Sequence, residues 1–314
     1  MEGKKFYNEI NLMRGLAIMF VVLYHSVPTD DFSIWDNLTL FMDNCVMLLY
    51  FMISGFVNSR KFCSGQNCIK NVLKQARNIL VPYVIYSVCA YILKLITNTN
   101  DGTGLLGILS GNPPCPILWF LWVLFIITVV TFGIGFLLEK MKLKNREEIF
   151  LVLAFVAYFL NKFVDFGIFQ LCIGYLPYFY IGIFLRKYYN AYQKLITNKI
   201  VCSCMFVIFA VLFIFGIDTY VVYQFTAISS VWFLFLTLTC KYSDSAIYRF
   251  FDSFGKHSFE VYLWSYFVQV ASRFVVVGIL GIDGIAGFVI LFALGLFVPL
   301  AAAVFAKKFN LVLR

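Results

Sequence analysis

The chain has 314 residues, 62% hydrophobic and 13% charged, with a mean hydropathy of +0.87 and a formal net charge of +9. Soluble domains run at about 45–50% apolar and about 25% charged residues, so the composition excludes an ordinary soluble domain and points to a polytopic membrane protein. The basic balance would suit nucleic acid, but its lysines and arginines lie between apolar runs rather than in one patch, which excludes a nucleic-acid footprint.

Apolar runs lie near 11–28, 38–57, 79–97, 117–138, 149–164, 167–185, 200–217, 219–240, 258–281 and 284–306. Several are about 20 residues long, enough for a hydrocarbon core of about 30 Å. The first continues to Pro28 with no small-residue cleavage pattern, so it reads as a retained helix. Ten crossings put both termini on one side of the lipid bilayer. With that side cytoplasmic, 22 of the 25 Lys and Arg fall inside, and only Lys94, Lys162 and Arg273 fall outside. The expected fold is an all-α helical bundle of about ten transmembrane helices with both termini cytoplasmic. It forms a single domain over 1–314, multi-pass in the cytoplasmic membrane.

The first run, Asn11 to Ser26, carries Arg14 and His25 with nothing charged between them. On an α-helix eleven steps come to three turns plus about 20°, so both side chains share one face, about 16 Å apart along the axis. A cation and an imidazole on one stripe of a lipid-soluble helix are costly to bury, and such groups mark functional sites. An acidic outer loop with Asp30, Asp31, Asp36 and Asp43 follows. The second run ends in Ser54-Gly55-Phe56 before Arg60-Lys61, where small residues suit close helix packing. Lys61 to Asn78 reads as a basic inner loop with Lys70, Lys74 and Arg77 at helical spacing, a stripe suited to headgroups or to the phosphates of a soluble anionic cofactor. Pro82 fits the first turn of the third helix.

The glycine- and proline-rich loop Thr97 to Pro116 is a candidate lid or substrate rim. Leu118-Trp119-Phe120-Leu121-Trp122 then opens the fourth run as an interfacial aromatic cluster. The fifth and sixth runs read as short or broken, the sixth at Gly174, Pro177 and Gly182, and the seventh and eighth turn at Gly216-Ile217-Asp218. A basic inner loop, Lys241 to Lys256, leads to His257, which reads as a solvated helix-start residue. Glu260 stands near the inner boundary of the ninth run, and the tenth ends before Lys307-Lys308. No separate soluble domain or repeat is visible.

The nine cysteines have no disulfide-like layout, and Cys63 and Cys68, five apart with no second pair or nearby His, make a poor zinc site, so no metal is expected. No Gly-x-Ser-x-Gly elbow, phosphate loop or His-Glu-x-x-His appears. Paired intramembrane carboxylates are absent too, which argues against an acidic proton relay. What remains is His, Arg, Tyr, Ser and Trp, a set suited to activating a hydroxyl while cations hold an anionic donor. His25, rather than His257, is the histidine placed inside the membrane to titrate near neutral pH.

Arg14 to His25 (RGLAIMFVVLYH), Phe51 to Phe56 (FMISGF), Arg77 to Tyr83 (RNILVPY), Leu118 to Leu121 (LWFL), Tyr178 to Gly182 (YFYIG) and Gly255 to Trp264 (GKHSFEVYLW) together resemble the acyltransferase 3 family of integral-membrane acyltransferases. The resemblance covers nearly the whole chain and implies a bundle of about ten helices. It implies transfer of an acetyl group from cytosolic acetyl-CoA (acyl-CoA) to a hydroxyl of an envelope sugar or polysaccharide acceptor, lipid-linked forms included. His25 matches the family's essential histidine, as general base or transient acyl carrier, and Arg14 its essential arginine. The same resemblance makes Arg77, Arg60, Ser54, Gly55 and Phe56 candidates on the donor side. Trp119, Glu260, Tyr262 and Ser265 are candidates for the acceptor cavity. Many members carry a histidine where this chain has Ser265, so this protein either dispenses with that histidine or substitutes Tyr262, Ser265 or Tyr266 for it. The competing expectation is a transporter or flippase for lipid-linked sugars without acyl transfer, for which ten spans, aromatic walls and basic inner loops also suit. The Arg14–His25 pair discriminates, because a flippase has no need of it.

Overall fold

The structure, a computed structural model, describes residues 7–27, 41–96, 104–191 and 241–308, with scattered residues between 200 and 239. Asp30, Asp31 and Asp36, the turn at 216–218 and most of the expected runs 200–217 and 219–240 lie outside the described residues. All regular structure among the described residues is helical.

Helix α1 is Asn8–Tyr24. Helix α2 opens with a π-helical turn, Met42–Val46, and runs on as Met47–Ser64. Helix α3, Cys68–Ile96, contains a second π turn at Ala76–Leu80. A single turn, α4, is Gly107–Ser110; α5 is Pro116–Lys140, α6 Arg146–Phe163 and α7 Gly167–Lys187. Helix α8 is Ala246–Lys256, α9 Ser258–Ile279 and α10 Gly284–Lys308. Five of these, α3, α5, α7, α9 and α10, are long and apolar enough to cross a membrane. They present Ile96, Phe136, Leu137, Phe274, Ile285 and Phe305 outward, side chains that a soluble protein would bury. Helix α6 carries Arg146, Glu147, Glu148 and Lys162 at its ends, which leaves an apolar stretch of only about 13 residues, about 20 Å at 1.5 Å each.

Two expected loops, Lys61 to Asn78 and Lys241 to Lys256, and the expected break in the sixth run are mostly helix instead. The second loop forms α8 from Ala246, because Ser245 caps it by accepting from the Tyr248 N–H. The segment Lys61 to Asn78 leaves helical geometry only over 65–67, where Gly65 (φ +62°) and Asn67 (φ +53°) reverse the chain. Its lysines extend α2 and α3 beyond the apolar window, so polarity there marks depth rather than loop. Pro82 consequently lies well inside α3, not in its first turn. The preceding π turn, in which the Val81 N–H donates to the Ala76 carbonyl, is the local adjustment that tolerates a residue lacking its own N–H. Helix α7 runs unbroken through Gly174, Pro177 and Gly182.

The chain forms two compact units, Met1–Tyr50 with Asn190–Leu313, and Phe51–Tyr189. In the first, α1 packs on α8, α9 and α10 and on the π turn at Met42–Val46, and α9 pairs with α10. The α1–α8 crossing is set by reciprocal glycines. A Cβ at Gly15 would overlap the Phe251 carbonyl oxygen, and one at Gly255 the Asn11 carbonyl oxygen. In the second unit, Gly55 of α2 faces the Phe179 carbonyl of α7 and Gly182 faces that of Met52, while the Ser59 hydroxyl donates to the Ile183 carbonyl at 3.2 Å. Helices α6 and α7 make a hairpin tied at both ends. Gln170 Nε2 donates to the Asn161 carbonyl and side-chain oxygens at 3.3 and 3.1 Å, and Lys187 pairs with Glu148 at 2.7 Å.

Candidate functional site

In the first unit, α1 runs without interruption from Arg14 to Tyr24, so the axial separation expected of Arg14 and His25 is set by a regular helix. Arg14 is half-buried beside the glycine that brings α8 against α1, and the Tyr50 hydroxyl donates to its carbonyl at 3.3 Å. No carboxylate among the described side chains pairs with the Arg14 guanidinium.

His25 differs from the expectation in one respect: it is the C-cap of α1 and no longer a helical residue, although its backbone remains right-handed (φ −83°, ψ 0°). Its ring is half-buried and meets Tyr24 edge-on at 5.0 Å. A helix end leaves its last carbonyls without intrahelical donors, and here most find partners. The His25 N–H donates to Val21 O at 3.3 Å and the Ser26 N–H to Leu23 O at 3.1 Å. The Ser26 hydroxyl donates to Val22 O at 2.6 Å. Helix α9 supplies the rest. Gln269 Nε2 donates to Val22 O and to Ser26 Oγ, both at 2.9 Å, and Arg273 Nη2 donates to the carbonyls of His25 and Val27 at 3.2 and 2.6 Å.

Tyr262, Ser265 and Gln269 form one buried stripe of α9 at spacings of three and four. Ser265 spends its hydroxyl on the Tyr262 carbonyl at 3.2 Å, and Glu260 is half-buried in the first turn of the helix. His257 is buried at 8% exposure between α8 and α9, not solvated, and burial pulls its pKa below the ordinary 6.5 despite nearby Glu260.

In the second unit, Gly55 and Phe56 are buried, Ser54 is half-buried, and Arg60 and Arg77 are exposed, the latter on the π turn of α3. Gly55 serves the α2–α7 crossing, as small residues in that position suggest. The guanidinium of Arg186 stands 5.0 Å over the Phe56 ring, and Tyr189 meets that ring edge-on at 5.7 Å. Trp119 leads an aromatic stack: its ring lies 5.5 Å from Tyr175, which stacks on Phe51 at 4.6 Å. The described part of the candidate lid is fastened down. Tyr83 donates to the Ile108 carbonyl at 2.7 Å, and Gly111 (φ +78°) turns against the face of Trp122.

The structure thus gathers Arg14, His25, Glu260, Tyr262 and Ser265 on two adjoining helices of one unit, and Ser54, Gly55, Phe56, Arg60, Arg77 and Trp119 on three helices of the other. Sequence reasoning missed Gln269, Arg273 and Arg186. Arg273 carried a signal, as one of three basic residues assigned to the outer side; an uncharged amide such as Gln269 carried none. A family model described as an acyltransferase domain matches residues 7–304. Neither the curated proteins nor the solved structures gave a match.

Proposed function

The chain belongs to the acyltransferase 3 family and is a membrane acyltransferase, and from that premise we propose that it moves an acetyl group from cytosolic acetyl-CoA to a hydroxyl of a cell-envelope sugar or polysaccharide. We read residues 1–314 as one acyltransferase domain of the cytoplasmic membrane. The observation that carries this reading is the placement of Arg14 within α1 and of His25 at the cap of the same helix, an end that is anchored from α9. In this reading the His25 imidazole takes the proton of the acceptor hydroxyl as its oxygen attacks the thioester carbonyl. The C–S bond breaks, and the CoA thiolate leaves with the proton that the His25 imidazolium gives up, which returns the imidazole to its neutral form. Arg14 pairs with a phosphate of the anionic donor, since guanidinium groups bind phosphates in bidentate geometry, and Arg77 and Arg60 stay candidates for donor phosphates on the strength of the sequence. Ser54, Gly55 and Phe56 shape the donor side. Glu260, Tyr262 and Ser265 of α9 shape the acceptor side, for which Trp119 stays a candidate on the strength of the sequence, with no metal required.

The test is transfer from radiolabelled acetyl-CoA in membranes that contain the protein. The reading expects label in envelope glycan that mild base releases, as an O-ester requires. No label from any acyl-CoA, with glycan export lost on deletion, would overturn it in favour of lipid-linked sugar transport.

A further inference from the structure

The C-terminal end of α1 is the least self-sufficient part of the helix, because the His25 N–H makes the last bond four residues back, to Val21 at 3.3 Å, and the carbonyls of the final turn have no following N–H to continue the ladder. Left alone such an end frays, and a base that wanders by about 1 Å loses about 100-fold in rate. Three carbonyls around His25, those of Val22, His25 and Val27, are instead bonded by two side chains of α9 spaced one turn apart. Gln269 is 5% exposed and Ser26, its second partner, is fully buried. The Val22 carbonyl only accepts, which fixes the NH2 end of the Gln269 amide toward it. Both amide protons are then used, one on Val22 O and one on Ser26 Oγ. Helix α10 makes room for the amide: a Cβ at Gly295 would lie 2.8 Å from Gln269 Cγ and 2.9 Å from its Nε2.

We infer that Gln269 is the positioning residue for His25, with Gly295 the clearance that allows it and Arg273 a second hold on the same turn. The inference rests on the acyl-transfer reading of His25. Glutamine suits the task because its uncharged amide donates twice at low desolvation cost. Gly295, far along the chain, matters only through Gln269.

The experiment compares Gln269→Ala, Gln269→Met, Gly295→Ala and the Gln269→Ala/Gly295→Ala double variant of the full-length protein in detergent. Gln170→Ala, which removes a comparable amide clamp from the α6–α7 hairpin, is the structural control. Two quantities are read: kcat against KM for acetyl-CoA, and the rate at which diethyl pyrocarbonate modifies His25 in a His257→Gln background, where one histidine remains. Gln269→Ala and Gln269→Met are expected to lower kcat about tenfold with KM for acetyl-CoA unchanged, and to speed modification of His25. Gln269→Met keeps the volume, so a folding failure of the alanine variant leaves the test intact. Gly295→Ala is expected to match the Gln269 variants, and the double variant to be no worse than either, since both act through one contact. Gln170→Ala should lower the unfolding temperature and leave both readouts alone. Unchanged kcat and modification rate in the Gln269 variants, or additive losses in the double variant, would overturn the inference. A wild type that transfers no acyl group would sink the acyl-transfer reading alone, and the modification rates would still decide whether Gln269 holds His25.

Discussion

The two units cross their helices by the same device and carry different cargo on it. At α1–α8 the pair Asn11 and Gly15 meets Phe251 and Gly255, and at α2–α7 the pair Met52 and Gly55 meets Phe179 and Gly182. Each glycine faces a carbonyl of the opposite helix, so backbones approach to a distance that any side chain would forbid. At the first crossing stands Arg14, and beyond it lie His25 and a set of side-chain bonds to carbonyls of the helix end. Beside the second lie Trp119, Tyr175 and Phe51 ring against ring, and Phe56 edge-on to Tyr189. Close backbone packing therefore sets helix geometry in both places, and the residues next to the glycines decide whether the result is polar and titratable or an aromatic wall.

The sharpest way to break that comparison is to enlarge the glycines. Gly255→Val and Gly182→Val should each cost about 3 kcal/mol or more, because backbone rather than a flexible side chain must move. Both variants should lose the monodisperse folded species in detergent size exclusion, and a variant that folds normally would show that its crossing is not set by the glycine. Arg14→Ala tests the polar side of the comparison. It should raise KM for acetyl-CoA about tenfold, the worth of a charge-assisted contact, while the unfolding temperature changes little; an unchanged KM would remove Arg14 from donor binding. Gly133 of α5 is a counter-example, with nothing within 4 Å of a Cβ placed there. Gly133→Ala should raise stability by about 0.5–1 kcal/mol, the opposite sign to Gly255.

The smallest expected effects come from pH. Burial lowers the His257 pKa, so the folded state favours its neutral form; the stability this contributes is present above about 6.5 and falls away as pH drops below that value. Lys187 and Tyr188 bond the exposed Glu148 and hold its pKa at about 2, so its contribution is present above the ordinary 4.5 and disappears as pH falls toward 2. Unfolding temperatures followed downward from pH 8 should show the His257 step first, and His257→Gln should abolish that step only.

Much of α1, α5, α9 and α10 was legible because long apolar runs in a chain this hydrophobic leave few alternatives. The end of α1 was misjudged because Ser26 and Val27 continue the apolar run, although Pro28 in the sequence is a common signal just past a helix end. Helical Lys61–Ser64 and Cys68–Gln75 looked like loop because charge was taken for irregularity, and charge on a membrane protein also marks the depth at which a helix leaves lipid. Gly182 was read as a break from its own segment; its mate Gly55 is 127 positions away, and only the fold brings them together. Gln269 and Gly295 escaped for the same reason, since neither has meaning until α1, α9 and α10 are side by side.

The most direct test of the account compares wild type, His25→Ala and His25→Gln for transfer of labelled acetyl to glycan, at equal amounts of folded protein in the membrane. The account predicts transfer by the wild type and a loss of about 100-fold or more in both variants, the range for a missing general base. Wild-type rates in the His25 variants would contradict it.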